Sequence, residues 1–331
     1  MSNSMSTNVS YEDTFSGPAI PPGWVLTVTG LVEVFLTASA ILGNLLFVTV
    51  FCLQKKLRTT INTMLFNLSI TDLISPILVS SLTGDGFLKR LWRFGYSLCV
   101  INKVLHRILL ETSLWLTTCV AINRYICIVH HEKYHRFSNR KTLSFALMFS
   151  WCFPVATQVY LHTRPNAFRY VEGIFPCVLN VSGVFTLASL TVQIVLTVYS
   201  YLAVFLFIRR SRNRVQAHSA GDDTSTNNSK TPSLQEIRTL KVLMAVFLLI
   251  IFGYIPVPLV GSIFKALGRP EGLAFLILLH PAIHIGGAVN PILYGISNRN
   301  VRESYRQILT GQKIFGRPCC GVNAESQVSA I

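Results

Sequence analysis

Residues 184–208 read VFTLASLTVQIVLTVYSYLAVFLFI, twenty-five consecutive positions without an Asp, Glu, Lys or Arg. Crossing the hydrocarbon core of a bilayer takes about 20 apolar residues of helix, so this stretch predicts a membrane span. Other stretches repeat the pattern. Val242 to Phe264 is uncharged over 23 positions, and Val34 to Leu53, Thr142 to Leu161 and Gly272 to Ser297 are also free of Asp, Glu, Lys and Arg. Ile61 to Gly84 carries one charge, Asp72; Tyr96 to Val129 is apolar but interrupted by Lys103, Arg107, Glu111 and Arg124. The interior of a helix bundle shelters charges that lipid would not, so this last segment also counts. Seven spans result. Composition agrees: the chain is 51% apolar and only 13% charged, where a soluble protein carries about 25% charge. Disorder would need the opposite balance.

A net charge of +15 could suit nucleic acid, and its placement decides. With the N-terminus outside, cytoplasmic segments hold 19 of the 29 Lys and Arg residues, outer segments seven and the third span three. That is the asymmetry that orients membrane proteins, and it lines the inner face with charge that favours anionic lipid. It leaves no nucleic-acid footprint. Residues 1–24 contain no Lys or Arg and no apolar core, so the first span is expected to act as its own insertion signal. The sequons at Asn8 and Asn180 then face outward as glycosylation candidates. The cytoplasmic stretch from Ser211 to Ser233, rich in Ser, Thr, Asn and Asp, is expected to form a flexible loop. No internal repeat is evident, which counts against inverted-repeat transporters. The expected organisation is an all-α membrane protein: an extracellular tail over 1–24, a seven-transmembrane helix bundle over 25–297, an amphipathic eighth helix over 298–311 and a cytoplasmic tail over 312–331.

Polar motifs recur inside these spans in a fixed order. Gly43-Asn44 lies in the first and Leu68-Ser69-Ile70-Thr71-Asp72 in the second; the third begins near Cys99 and ends in Asn123-Arg124-Tyr125. Trp151 lies in the fourth, Pro256 in the sixth, and the seventh ends in Asn290-Pro291-Ile292-Leu293-Tyr294. This ordered set resembles the rhodopsin-like (class A) G-protein-coupled receptors over about residues 25–312.

The resemblance implies a disulfide between Cys99 and Cys177, on a side oxidising enough for one. It gathers Asn44, Asp72, Ser113 and Asn290 around one cavity, where either a sodium ion or a purely structural polar network satisfies them. No other cofactor is expected. It makes Asn123, Arg124 and Tyr125 the coupling motif, with Tyr201, Asn290, Pro291 and Tyr294 as companion switches. Arg124 would be held by Glu236 at the foot of span six, and by an amide, Asn123, where the family has an acid. Pro256 removes a helix hydrogen bond and supplies a hinge, with Tyr254 standing where the family has Trp. Cys319 and Cys320 follow the amphipathic stretch from Asn298 to Leu309 and are palmitoylation candidates.

For the ligand, His106 replaces the aspartate of amine receptors, and His284 replaces the lysine of retinal proteins. The pocket candidates are Lys103, His106, Arg107, Glu111, Tyr254 and His284. Arg107 and Glu111, one helical turn apart, either neutralise each other or join a basic pocket mouth suited to an anionic or lipid-like ligand. Ala121-Ile122-Asn123-Arg124-Tyr125, with Ile128, His130, Lys133 and Tyr134 following, resembles the melatonin receptors and the insect receptors moody and trapped-in-endoderm. Asn290-Pro291 and Tyr254 separate the chain from melatonin receptors, so it is expected near that branch. The implied function is signalling from an extracellular ligand, across the plasma membrane, to a heterotrimeric G protein of the Gi/o type, with arrestin as a further partner. The chain shows no nucleophile–base pair, and no enzyme activity is expected. The competing readings are a constitutively active or unliganded scaffold, favoured by Asn123 and Tyr254, and a transporter.

Overall fold

The computed structural model describes residues 21–137, 139–163, 168–169, 178–179, 183–218 and 272–311, with isolated positions between 244 and 267. Six described helices are long and apolar enough to cross a membrane. The first is α1 (Gly23–Leu53). The second is α2 (Thr60–Ser75), continued through a π-helical segment, Pro76–Ser80, into α3 (Ser81–Lys89). Pro76 cannot donate to the preceding turn, and the wider π turn absorbs the break. Then come α4 (Gly95–Val129), a short α5 (His131–Phe137), α6 (Arg140–His162) and α7 (Gly183–His218). The last span is α8 (Gly272–Leu279), a 3-10 turn His280–His284 and α9 (Ile285–Ser297). Helix α10 (Arg299–Leu309) follows. Between α6 and α7, β1 (Phe168–Arg169) pairs antiparallel with β2 (Val178–Leu179).

Helix ends follow local chemistry. The Thr59 side chain accepts from the Asn62 amide at the start of α2, Asn139 from Thr142 at the start of α6, and Asn298 from Asn300 at the start of α10. Each satisfies a donor that the first turn leaves unpaired. Outer surfaces are apolar: Phe35, Leu42 and Leu45 of α1 and Val195, Tyr199 and Leu202 of α7 are exposed. The interior is comparatively polar, with Asn44, Ser69, Asp72, Thr112, Gln158, Gln193 and Asn290 buried. Water would reverse this arrangement; lipid requires it, because polar backbone and side-chain groups must be satisfied within the bundle.

Two apolar clusters hold the bundle. Phe47, Leu68, Leu116, Val120, Tyr201, Val204 and Tyr294 fill the half toward α10, and Val301 of α10 joins them. Val25, Leu26, Phe87, Trp92, Cys99 and Ile277 fill the opposite end. There Trp92 Nε1 donates to the Gly95 carbonyl and Arg93 forks onto Asp85 at 2.9 and 3.0 Å.

Two elements differ from their sequence expectation. Helix α1 begins at Gly23 rather than Val34, and so takes Glu33 into the bundle. Helix α7 continues through His218, past Ser211, the expected start of the flexible loop. Span six, Val242 to Phe264, lies mostly outside the described residues; within it Ile255 forms a bend and Pro256 is helical.

Candidate ligand and coupling sites

The centre of the bundle is built on Asp72. Asn290 Nδ2 donates to Asp72 Oδ2 at 2.8 Å and Ser113 Oγ to Oδ1 at 3.4 Å. Asn44 does a different task. Its Nδ2 donates to the carbonyls of Ala40 at 2.9 Å and Gly287 at 2.8 Å. Gly287 is four residues before Pro291, so proline removes the very N–H that this carbonyl would otherwise accept. Asn44 of α1 supplies the missing donor across the helix interface. The close approach depends on Gly43, where a Cβ would lie 3.0 Å from the Pro291 ring. The Oδ1 atoms of Asn44 and Asn290 are buried and have no hydrogen-bond partner among the described residues. Asn290, Ser113 and the Asp72 carboxylate line the same cavity, whereas Asn44 does not.

A cavity of about 50 Å³ runs from Asp72, Ser113 and Asn290 to Ser80, His106 and His284. Its far end meets a cluster of ionisable groups. Glu33 is fully buried, with Oε1 3.3 Å from His284 Nε2 and Oε2 3.7 Å from His280 Nδ1. His106 packs its ring 5.4 Å from that of His284 and 6.1 Å from that of His280. Lys103, one turn before His106 on α4, lies within electrostatic reach of Glu33. Glu111 accepts a hydrogen bond from Ser189 of α7 at 2.6 Å, and Arg107 is half-buried beside it.

The opposite end of α4 carries Asn123 and Arg124, both half-buried. Arg124 lies within electrostatic reach of the buried Tyr201 of α7, and its Nε makes no hydrogen bond among the described residues. Tyr125 instead turns outward, bonding His130 at 2.9 Å and stacking edge-on against Tyr199. Tyr294 is buried against Phe47, with ring centroids 4.9 Å apart. Helix α10 is tied to this region by Tyr305, whose hydroxyl donates to the Pro291 carbonyl at 3.2 Å. Cys99 is disulfide-bonded. Its expected partner Cys177 lies outside the described residues, as do Glu236, Tyr254, Asn8, Asn180, Cys319 and Cys320.

Residues 43–294 match the family of seven-transmembrane receptors of the rhodopsin family. The chain belongs to that family. The receptor therefore has seven spans, crosses the membrane repeatedly, answers a ligand from outside and signals through a G protein; it is not an enzyme. Among similar curated proteins are melatonin receptors. The receptor is 27% identical to melatonin receptor type 1A of Phodopus sungorus over 92% of its own length and 86% of the relative's. It is 25% identical to the Mus musculus type 1A receptor over 87% and 82%, and 26% identical to the Danio rerio type 1A-A receptor over 95% and 91%. These matches put it in the melatonin-receptor branch of class A.

Sequence reading of the receptor missed Glu33, His280 and Ser189. Ser189 is an ordinary span residue whose partner is 78 positions away. Glu33 gave a signal, an acid eleven residues into an otherwise apolar helix, but a search for uncharged runs starts one residue too late to see it.

Proposed function

We propose that the receptor resides in the plasma membrane with its N-terminus extracellular, and couples to a heterotrimeric G protein of the Gi/o type. The carrying observation is Arg124 beside the buried Tyr201, at the end of the bundle lined by the basic residues of α10. A guanidinium held half-buried, with donors to spare, is poised to leave its resting contacts for an inserted helix. The shift is between populated states rather than a new shape made by the ligand. Glu236 completes the resting lock, Pro256 is the hinge and Tyr254 senses the pocket. Gi/o coupling rests on the melatonin-branch likeness, and arrestin is the expected partner of the same open cavity.

At the other end, Lys103, His106, Arg107, Glu111, Tyr254 and His284 form the ligand pocket. Lys103 and Arg107 give its mouth a cationic character that suits an anionic or polar lipid-like ligand. The relatives' names favour melatonin as the second reading. Asp72, Ser113 and Asn290 would hold a sodium ion, which supplies charge balance for the buried carboxylate when bound. Cys99 pairs with Cys177 to fix the roof of the pocket, Asn8 and Asn180 carry glycans, and Cys319 and Cys320 carry the lipid that anchors α10.

Receptor reconstituted in lipid discs should accelerate nucleotide exchange on Gi/o heterotrimers more than on other classes; equal rates would refute the subtype. A long-chain fatty-acid anion should raise its thermal stability and the uncharged methyl ester should not. Stabilisation by melatonin alone would replace the anionic reading with the relatives' ligand.

A further inference from the structure

Four buried atoms converge in the half of the bundle where α1 begins. Glu33 Oε1 and Oε2, His280 Nδ1 and His284 Nε2 are each shielded from solvent, and none makes a hydrogen bond among the described residues. The carboxylate comes from α1 and the imidazoles from the two ends of the 3-10 turn His280–His284. One ligand atom from each residue can be chosen so that all three lie within 4.8 Å of one another. The shortest approaches are 3.3 Å, from Glu33 Oε1 to His284 Nε2, and 3.7 Å, from Glu33 Oε2 to His280 Nδ1. Ligand atoms about 2.0–2.1 Å from a tetrahedral ion stand about 3.3 Å apart, so the Glu33 Oε1–His284 Nε2 edge is already in place and the other two need to close by no more than about 1.5 Å.

We propose that Glu33, His280 and His284 form a binding site for a divalent transition-metal ion, with zinc the ion that best suits two imidazoles and a carboxylate. Hard cations prefer all-oxygen sites, and the Asp72 cluster deeper in the bundle is of that kind. Three protein ligands leave a fourth position open. His284 also lines the cavity together with Ser80, from which water or a ligand's donor atom would complete the shell. Ser80 Oγ lies 3.3 Å from His284 Nδ1. With Nδ1–H donated to that hydroxyl, Nε2 is left bare toward Glu33, the outer-shell arrangement that orients metal-bound histidines.

A buried carboxylate needs compensation, and one alternative source stands nearby. Lys103 lies within electrostatic reach of Glu33 from α4, and His106 stacks on His280 and lies tilted against His284. Lys103 neutralises the carboxylate when no ion is bound and opposes an ion that is, while His106 remains outside the group of converging ligand atoms. The bound ion ties α1 to the last span, one turn from where Thr29 Oγ1 donates to the Ile277 carbonyl at 3.4 Å.

The test uses purified full-length receptor, stripped with chelator and titrated with zinc chloride. The expected result is one zinc retained per chain after desalting, with a rise in thermal midpoint that magnesium and calcium do not give. Glu33→Gln and His284→Gln should each weaken zinc binding at least tenfold, whereas Lys103→Gln should tighten it. Zinc retained with unchanged affinity in Glu33→Gln and His284→Gln would overturn the assignment, as would the absence of stoichiometric binding, which would leave an ion pair only. Should these variants fail to fold, X-ray absorption on the unaltered zinc-loaded receptor decides. Two imidazoles and one carboxylate in the first shell support the site; any other donor set overturns it.

Discussion

Replacing Asn44 with Ala removes the donor that serves the Gly287 carbonyl across the α1–α9 interface. A buried carbonyl left without a partner costs about 1–3 kcal/mol. Side-chain hydrogen bonds between membrane helices measure lower, about 0.6 kcal/mol on average. Asn44 also bonds Ala40 within its own helix at 2.9 Å, and that carbonyl has its ordinary helical environment. The expected loss is therefore about 1–2 kcal/mol. The diagnostic step is to repeat the substitution in a Pro291→Ala background. That background restores the backbone N–H that Gly287 lacks, so the cost of Asn44→Ala should shrink by about 1 kcal/mol, a roughly fivefold smaller change in the unfolding equilibrium. Reversible unfolding of the four proteins in mixed micelles closes the cycle, and any effect of Pro291→Ala alone cancels. Additivity within about 0.3 kcal/mol would show that Asn44 does not substitute for the proline's missing donor.

Gly43→Val should destabilise the receptor in the same assay, because a Cβ at 3.0 Å from the Pro291 ring leaves no room for branches; Pro291→Ala should recover part of the loss. If Cys99 and Cys177 pair, Cys99→Ala, Cys177→Ala and the double substitution should reduce surface expression equally, and additive losses would show that they do not. Glu236→Ala should raise basal nucleotide exchange several-fold, since Asn123 offers no carboxylate to hold Arg124 in its place. Flat basal exchange at normal expression would dispose of the single-lock reading.

The spans were legible because lipid imposes one simple rule, long uncharged helices, and that rule acts residue by residue. Tyr96 to Val129 was legible despite its four charges, and it forms an uninterrupted α4 of 35 residues, Gly95–Val129. Inward burial of a charge hid the first eleven residues of α1, where Glu33 meets histidines some 250 positions away. No local pattern announces such a partner. Asp72, Ser113 and Asn290 were readable as a set through the order of their motifs, and the structure brings them together. Asn44 belonged to the same set in sequence, yet its amide is spent on a carbonyl orphaned by Pro291, a pairing that depends on how α1 lies against α9. The π segment at Pro76–Ser80 likewise expresses a proline inside a span, whose effect on the turn is set by packing.

The central claim is that Arg124 carries the signal to the G protein. It is tested most directly by nucleotide exchange on purified Gi/o heterotrimers, with the unaltered receptor, Arg124→Ala and Arg124→Lys in matched lipid discs at equal folded protein. Arg124→Ala should fall to the receptor-free rate while retaining thermal stability, and Arg124→Lys should recover only part of the activity, because ammonium lacks the planar fork of donors that guanidinium presents. Full exchange activity in Arg124→Ala would contradict the account.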